Sequence, residues 1–356
     1  MNRLNTLACH VSGGYGKLLG ETRPRRNFCV KIIVNPLRRF IIGAGIGLCI
    51  TVQFAVANCG SAFCSINTDM DVQARAAEPG LKFDLRYEYI KQNQPREGPK
   101  KVGLQGKPDS HDELETINHN LILGADYRFD RHWSLDASLP YIKRRHAHLH
   151  NPDAAAMAAG EEPEREEWKF SGIGDARLMG RYQTELGGVD IGGHIGVKLP
   201  TGNIDGTNAA GERAERTLQL GTGSTDLIAG VFVKGRMGET ALSWFSQAQW
   251  QHAVKTKDDF RPGDELRLDL GLRYAITEAL SANLQINGRI KSRDSGSNAE
   301  AGESGGRFLF IAPGLSYYLT PSLEIYGYVQ MPLYQRVNGV QLTQDTNFLL
   351  GMSYHF

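Results

Sequence analysis

Long apolar runs are nearly absent from this chain. Hydrophobic residues make up 41% and mean hydropathy is -0.35, so a bundle of transmembrane helices is excluded. Net charge is almost absent too: 40 Lys and Arg oppose 39 Asp and Glu, a balance that points away from nucleic acid. Cysteine is scarce, five in 356 residues, and three of them (Cys9, Cys29 and Cys49) fall in the first fifty positions. A disulfide-built scaffold is therefore excluded. Glycine is what the chain has in plenty, 41 residues, suited to tight turns and close strand crossings.

The one long apolar run, Phe40 to Val56, follows Arg38 and Arg39 and ends at Ala55-Val56-Ala57. Basic residues, an apolar stretch and small residues in that order read as an export signal. Residues 1–57 are thus expected to be leader and signal peptide, and 58–79 a short periplasmic tail. An uncleaved helix anchor is disfavoured by the shortness of the run and the small residues after it. The tail holds Cys59 and Cys64, which an oxidising compartment would join in a small disulfide loop. Lipidation of Cys59 is the alternative, although Asn58 departs from the small residue that such processing prefers. The tail is too short for the large plug of TonB-dependent uptake proteins, yet it could enter and narrow a lumen.

From Gly80 onward one theme recurs: alternating apolar and polar residues in segments of about ten to fifteen, separated by turn signals. Leu81, Phe83, Leu85, Tyr87 and Tyr89 alternate with Lys82, Asp84, Arg86 and Glu88. Leu121 to Phe129, Leu266 to Ile276 and Leu280 to Ile290 behave alike, as do 132–146, 168–184, 188–199, 224–236, 239–252, 307–319 and 321–335. The final segment places Phe348, Leu350, Met352, Tyr354 and Phe356 on one face, because side chains in a strand alternate with period two. A terminal strand closed by Phe looks like the end of a bacterial outer-membrane barrel. The count is about twelve strands, an even number, as a closed up-and-down barrel requires. Tight turns (Asp130-Arg131, Leu186-Gly187-Gly188, Met237-Gly238, Thr277-Glu278, Thr320-Pro321) alternate with longer polar connections at 93–114, 147–167, 201–222, 253–264, 292–306 and 336–345. Short periplasmic turns and long outer loops have this rhythm.

Charges in mid-strand separate a membrane barrel from a soluble one, because a dry core would not hold them. Asp84, Arg86, Asp175, Arg177, Arg181, Asp226, Arg267, Asp269, Arg273 and Arg289 are expected to line the lumen. Trp133, Trp168, Trp250, Tyr274, Tyr317 and Tyr334 fall near strand ends, where interface girdles lie. The predicted fold is all-β: a transmembrane antiparallel up-and-down barrel over residues 80–356.

Three Gly-rich strings stand out: SGIGDARLMGR from Ser171 to Arg181, GVKLPTGN from Gly196 to Asn203, and LQLGTGSTDLIAGV from Leu218 to Val231. They resemble the outer-membrane barrel family named for the meta-pathway of phenol degradation. The resemblance implies a transporter of small, often hydrophobic or aromatic compounds, with no catalytic residues. Read from the residues, Asp175 and Asp226 pair with Arg177 and Arg181 at a constriction, or merely set the turn into a strand.

His146, His148 and His150 alternate at the outer end of one strand and form a weak metal candidate. The competing reading is a solvated loop, with the acidic run from Glu161 to Glu167, facing lipopolysaccharide. Ser243, His252 and Ser316 are scattered, so no nucleophile setting supports an enzyme. The reading is a monomeric channel for passive diffusion of small aromatic or dipolar solutes, with no cofactor. Its partners are outer-membrane lipid, lipopolysaccharide, the barrel-assembly machinery and the solute. The alternative is a non-conducting accessory barrel that engages a periplasmic partner through its Cys-containing tail.

Overall fold

The computed structural model describes residues 58–59, 64–68, 79–208 and 211–356; the leader and cleavage site expected within 1–57 lie outside them. Alternation becomes a closed twelve-stranded antiparallel barrel. In chain order the strands are β1 (Gly80–Glu97), β2 (His111–Arg128), β3 (Trp133–His150), β4 (Glu164–Ile173), β5 (Ala176–Leu186), β6 (Val189–Leu199) and β7 (Thr225–Arg236). Then follow β8 (Leu242–Lys255), β9 (Glu265–Ala275), β10 (Leu280–Lys291), β11 (Gly306–Thr320), β12 (Leu323–Val337), β13 (Val340–Gln344) and β14 (Asn347–His355). β4 and β5 both pair with β3 and together make one stave, interrupted at Gly174 and Asp175. β13 and β14 likewise share a stave against β1. The ring closes because β1 pairs with β2 on one side, from Gly80↔Arg128, and with β14 on the other, through Phe348↔Tyr89 to His355↔Lys82.

The wall has the polarity of a membrane barrel. Leu350 is 63% and Phe356 72% exposed, whereas Asn347 and Ser353 on the same strand are fully buried. Leu121, Leu123, Leu268, Leu270, Leu272 and Leu315 are also exposed, an apolar outer surface that suits lipid and not water. Trp133, Trp250, Tyr274, Tyr317 and Tyr334 face outward with them.

Trp168 does not join that girdle. It is 6% exposed and packs with Ile142, Phe170, Ala214, Leu218, Leu220 and Leu342. The reason is length. β1, β2 and β3 each run 18 residues, whereas a tilted strand needs only about 9–11 to cross a bilayer. Their outer halves therefore rise past the membrane, and the connection between β6 and β7 folds into their mouth as a small apolar core. The strands extend into the ends of the expected loops at 93–114 and 147–167, since the ladder continues there.

The tail takes the inner of the two courses open to it. Asn58 and Cys59 pair in parallel with β13, near the outer end. Cys64 to Asn67 are buried inside the barrel instead of lying in the periplasm, and Cys64 and Ile66 pack against Ile90, Ala312, Tyr326, Tyr328 and Leu349. Polar wall residues hold this backbone as a strand neighbour would. Gln285 Oε1 accepts from Asn67 N at 3.0 Å, and Gln285 Nε2 donates to Asn67 O at 2.8 Å. Glu88 accepts from Cys64 N at 3.3 Å. A lumen too wide for its own side chains to fill thus gains a segment of chain. Cys64 is a free thiol; the side chain of Cys59 is outside the described residues, so the expected pair is not among the described contacts.

Candidate functional site in the lumen

The three Gly-rich strings, distant in sequence, meet at one point of the wall. Lys198 Nζ donates to Asp175 Oδ2 at 2.8 Å and to Ser224 O at 2.9 Å, lies 3.4 Å from Asp226 Oδ2, and also bonds Thr222 Oγ1. Asp175 further accepts from Thr222 N at 3.0 Å and Gly202 N at 3.1 Å. Gly202 and Gly221 touch backbone to backbone: a Cβ on Gly202 would sit 2.6 Å from Gly221 Cα. Only glycine permits that approach. Asp175 and Asp226 are therefore paired directly with Lys198, not with Arg177 or Arg181. The knot bends the stave at Gly174 and draws the connection between β6 and β7 inward.

Below the knot lies a cavity of about 300 Å³. Of the charges expected in the lumen, Arg86, Asp175, Arg177, Asp226, Arg267 and Arg289 line it. Glu265 joins two of them, its carboxylate 2.7 Å from Arg289 Nε and also bonded to Arg267 Nε. Arg86 Nε is 3.1 Å from Glu88, and Arg86 also bonds Thr68 of the tail. Arg177 reaches Gln251 Oε1 at 3.4 Å. Phe260, Phe308, Leu220 and Ile66 supply apolar surface, with Arg289 stacked 5.5 Å over the Phe308 ring. The chamber is cationic, partly neutralised and flanked by aromatic rings.

The remaining predicted charges sit elsewhere. Asp84 accepts from Tyr326 Oη and Ser353 Oγ, each at 2.7 Å. Arg181 lies 3.6 Å from Asp136, and Asp269 accepts from Asn287 at 2.7 Å. Arg273 is 3.1 Å from Glu324 and lines a separate cavity of about 720 Å³ at the periplasmic end. Sequence reasoning missed Lys198, Glu265, Arg144 and Arg216. Lys198 stood inside a motif string and Glu265 directly before an alternating strand, so both carried a signal. Arg216 lies in a connection with no alternation to mark it. At the outer end His146 and His148 are buried together, whereas His150 turns away to His111.

No family model matches the chain, and no curated protein does. Solved structures do. An outer membrane channel from Pseudomonas putida is 15% identical with a TM-score of 0.58, covering 82% of this chain and 100% of that one. The NanC porin is 11% identical at a TM-score of 0.45, covering 77% and 100%. The Ralstonia pickettii toluene transporter TbuX is 11% identical at 0.41, covering 85% and 97%. The first likeness fixes the fold: this chain is a β-barrel of the outer-membrane type.

Proposed function

We propose that the barrel is an outer-membrane channel for passive diffusion of small solutes that carry a negative or dipolar group on an aromatic or otherwise apolar body. The cavity supports this reading. Arg177, Arg267 and Arg289 face it beside Phe260 and Phe308, and its volume of about 300 Å³ suits a small organic molecule. Opposed acidic and basic groups set a transverse field that favours dipoles over bulky apolar solutes. The resemblance to the phenol meta-pathway barrels is consistent with an aromatic body. A monomer assembled by the barrel-assembly machinery, with no enzymatic activity, belongs to the same reading.

The test is single-channel conductance of refolded protein in planar bilayers, wild type against Arg177→Ala. Arg177 suits the purpose because its hydrogen bond is to neutral Gln251, so its loss strips no carboxylate of a direct partner. Steady conductance that turns more cation-selective in the variant is the expected result. Silence from a correctly folded, heat-modifiable barrel would overturn the channel and favour a non-conducting barrel, for which the tail seated in the lumen is the supporting observation.

A further inference from the structure

The outer ends of β2 and β3 bring together residues that the lumen reading does not use. On β3 the inward positions are Ile142, Arg144, His146 and His148, all buried. On β2 a bulge between Glu113 and Glu115 shifts the register, setting Glu113 opposite His148 and Thr116 opposite His146. A bulge re-aims side chains, and this one sets Glu113 inward, opposite His148. Glu113 is 4%, His146 0% and His148 8% exposed.

Their ligating atoms converge. His146 Nε2 is 3.0 Å from Glu113 Oε2 and 3.3 Å from His148 Nδ1, and the three side chains each offer an atom within 4.8 Å of the others. Ligands about 2.0–2.1 Å from a tetrahedral ion stand roughly 3.3 Å apart, so two of the three spacings already suit one. Outer contacts hold both rings. Thr116 Oγ1 meets His146 Nδ1 at 2.8 Å, and Glu166 on β4 lies 3.3 Å from His148 Nε2. A carboxylate or hydroxyl behind each imidazole is how metal-ligating histidines are oriented.

A neutral tautomer serves only one of the two contacts at His146 Nε2. If His146 carries its proton on Nε2, that proton has two claimants, the Glu113 carboxylate and the His148 nitrogen. If Nε2 is bare, it accepts from His148 but turns a lone pair toward the carboxylate. A cation at the common centre, bound by the bare Nε2, replaces that repulsion with three bonds. Arg144, the nearest inward cation on β3, is directed to Asn118 and to the carbonyls of residues 217–219.

We propose that Glu113, His146 and His148 form a binding site for a divalent transition-metal ion of the zinc class, joining β2 to β3 at the outer mouth. Two imidazoles and one carboxylate with a position left for water suit zinc or cobalt, whereas calcium and magnesium prefer all-oxygen sets. His150 is not a ligand: its Nδ1 meets His111 Nε2 at 2.7 Å, an exposed pair farther out.

The test is a cobalt(II) titration of the chelator-treated, detergent-solubilised barrel, read by visible absorption and by metal content after dialysis. One equivalent with the intense bands of tetrahedral cobalt is expected. Glu113→Gln and His148→Gln should each weaken binding by about 100-fold or more, and Thr116→Val, which only orients His146, by roughly ten-fold. Each variant is first checked for heat-modifiability, and Glu113→Gln, nearly isosteric, decides the matter should His148→Gln fail to fold. Absence of a saturable site would overturn the proposal. So would binding that survives Glu113→Gln but disappears in His111→Gln/His150→Gln, which would mark chelation by the exposed pair.

Discussion

Lys198 shows how much a single side chain holds at this wall. Its side chain is 4% exposed, and its ammonium lies between Asp175 and Asp226, whose side chains are 9% and 2% exposed. Pairing two carboxylates with one cation in a buried setting works only while the cation stays, because an unpaired buried charge is costly. Lys198→Met should therefore destabilise the barrel by about 3–5 kcal/mol, the range for breaking a buried pair from one side. Urea titration in detergent, with heat-modifiability as the folded-state signal, measures it. A change within about 0.5 kcal/mol, as for an ordinary surface substitution, would mean that water reaches the knot and the pairing is not buried in effect.

The connections between strands carry a second electrostatic device. Glu215, between β6 and β7, hydrogen-bonds to Glu300, between β10 and β11, with Glu303 close by. Burial pushes Glu215 up to about 7. Glu300 is raised by burial and then by the neighbouring Glu215 carboxylate. Glu303 is raised to about 7 by burial and by Glu215. Carboxyls held above their ordinary value of 4.5 stabilise the folded loops fully below that pH, and the contribution is lost as pH rises through about 7. Hydrogen exchange of 211–220 and 299–305 should therefore quicken between pH 5 and 8 after correction for intrinsic rates, and Glu300→Gln should flatten the profile. Unchanged protection would show that these acids are solvated. Little of this arrangement was legible in the sequence. Alternation at Leu81–Tyr89 or Leu266–Ile276 fixes which residues face lipid, because a one-residue slip would invert the face. Nothing local tells Trp168 that the strand has left the membrane, or tells Arg216 that its connection folds inward. The Glu113 bulge is equally silent, since it depends on the pairing of β2 with β3. The three motif strings were visible, but not that Lys198 joins them.

At the scale of the whole molecule, the tail is part of what fills the barrel. Twelve strands make a lumen that side chains alone do not fill, and residues 64–68 occupy part of it. The lumen offers this segment a set of polar fixings, of which Gln285 gives two, one to each polar group of the Asn67 backbone. Two such hydrogen bonds are worth roughly 1–3 kcal/mol net. When opening is fast relative to a probe reaction, the rate follows the open population. In a Cys59→Ser background, Gln285→Ala should then speed maleimide labelling of Cys64 by roughly 5- to 150-fold, the range those energies imply. The same variant should raise conductance if the seated tail narrows the path. Mass spectrometry locates the label and separates Cys64 from the leader cysteines. Wild-type labelling as fast as a free thiol would show that the tail is not seated, and the cavity would then open onto a much wider lumen. Fast labelling in the variant without any change in conductance would instead place the solute path beside the tail, along Arg177, Arg267 and Arg289.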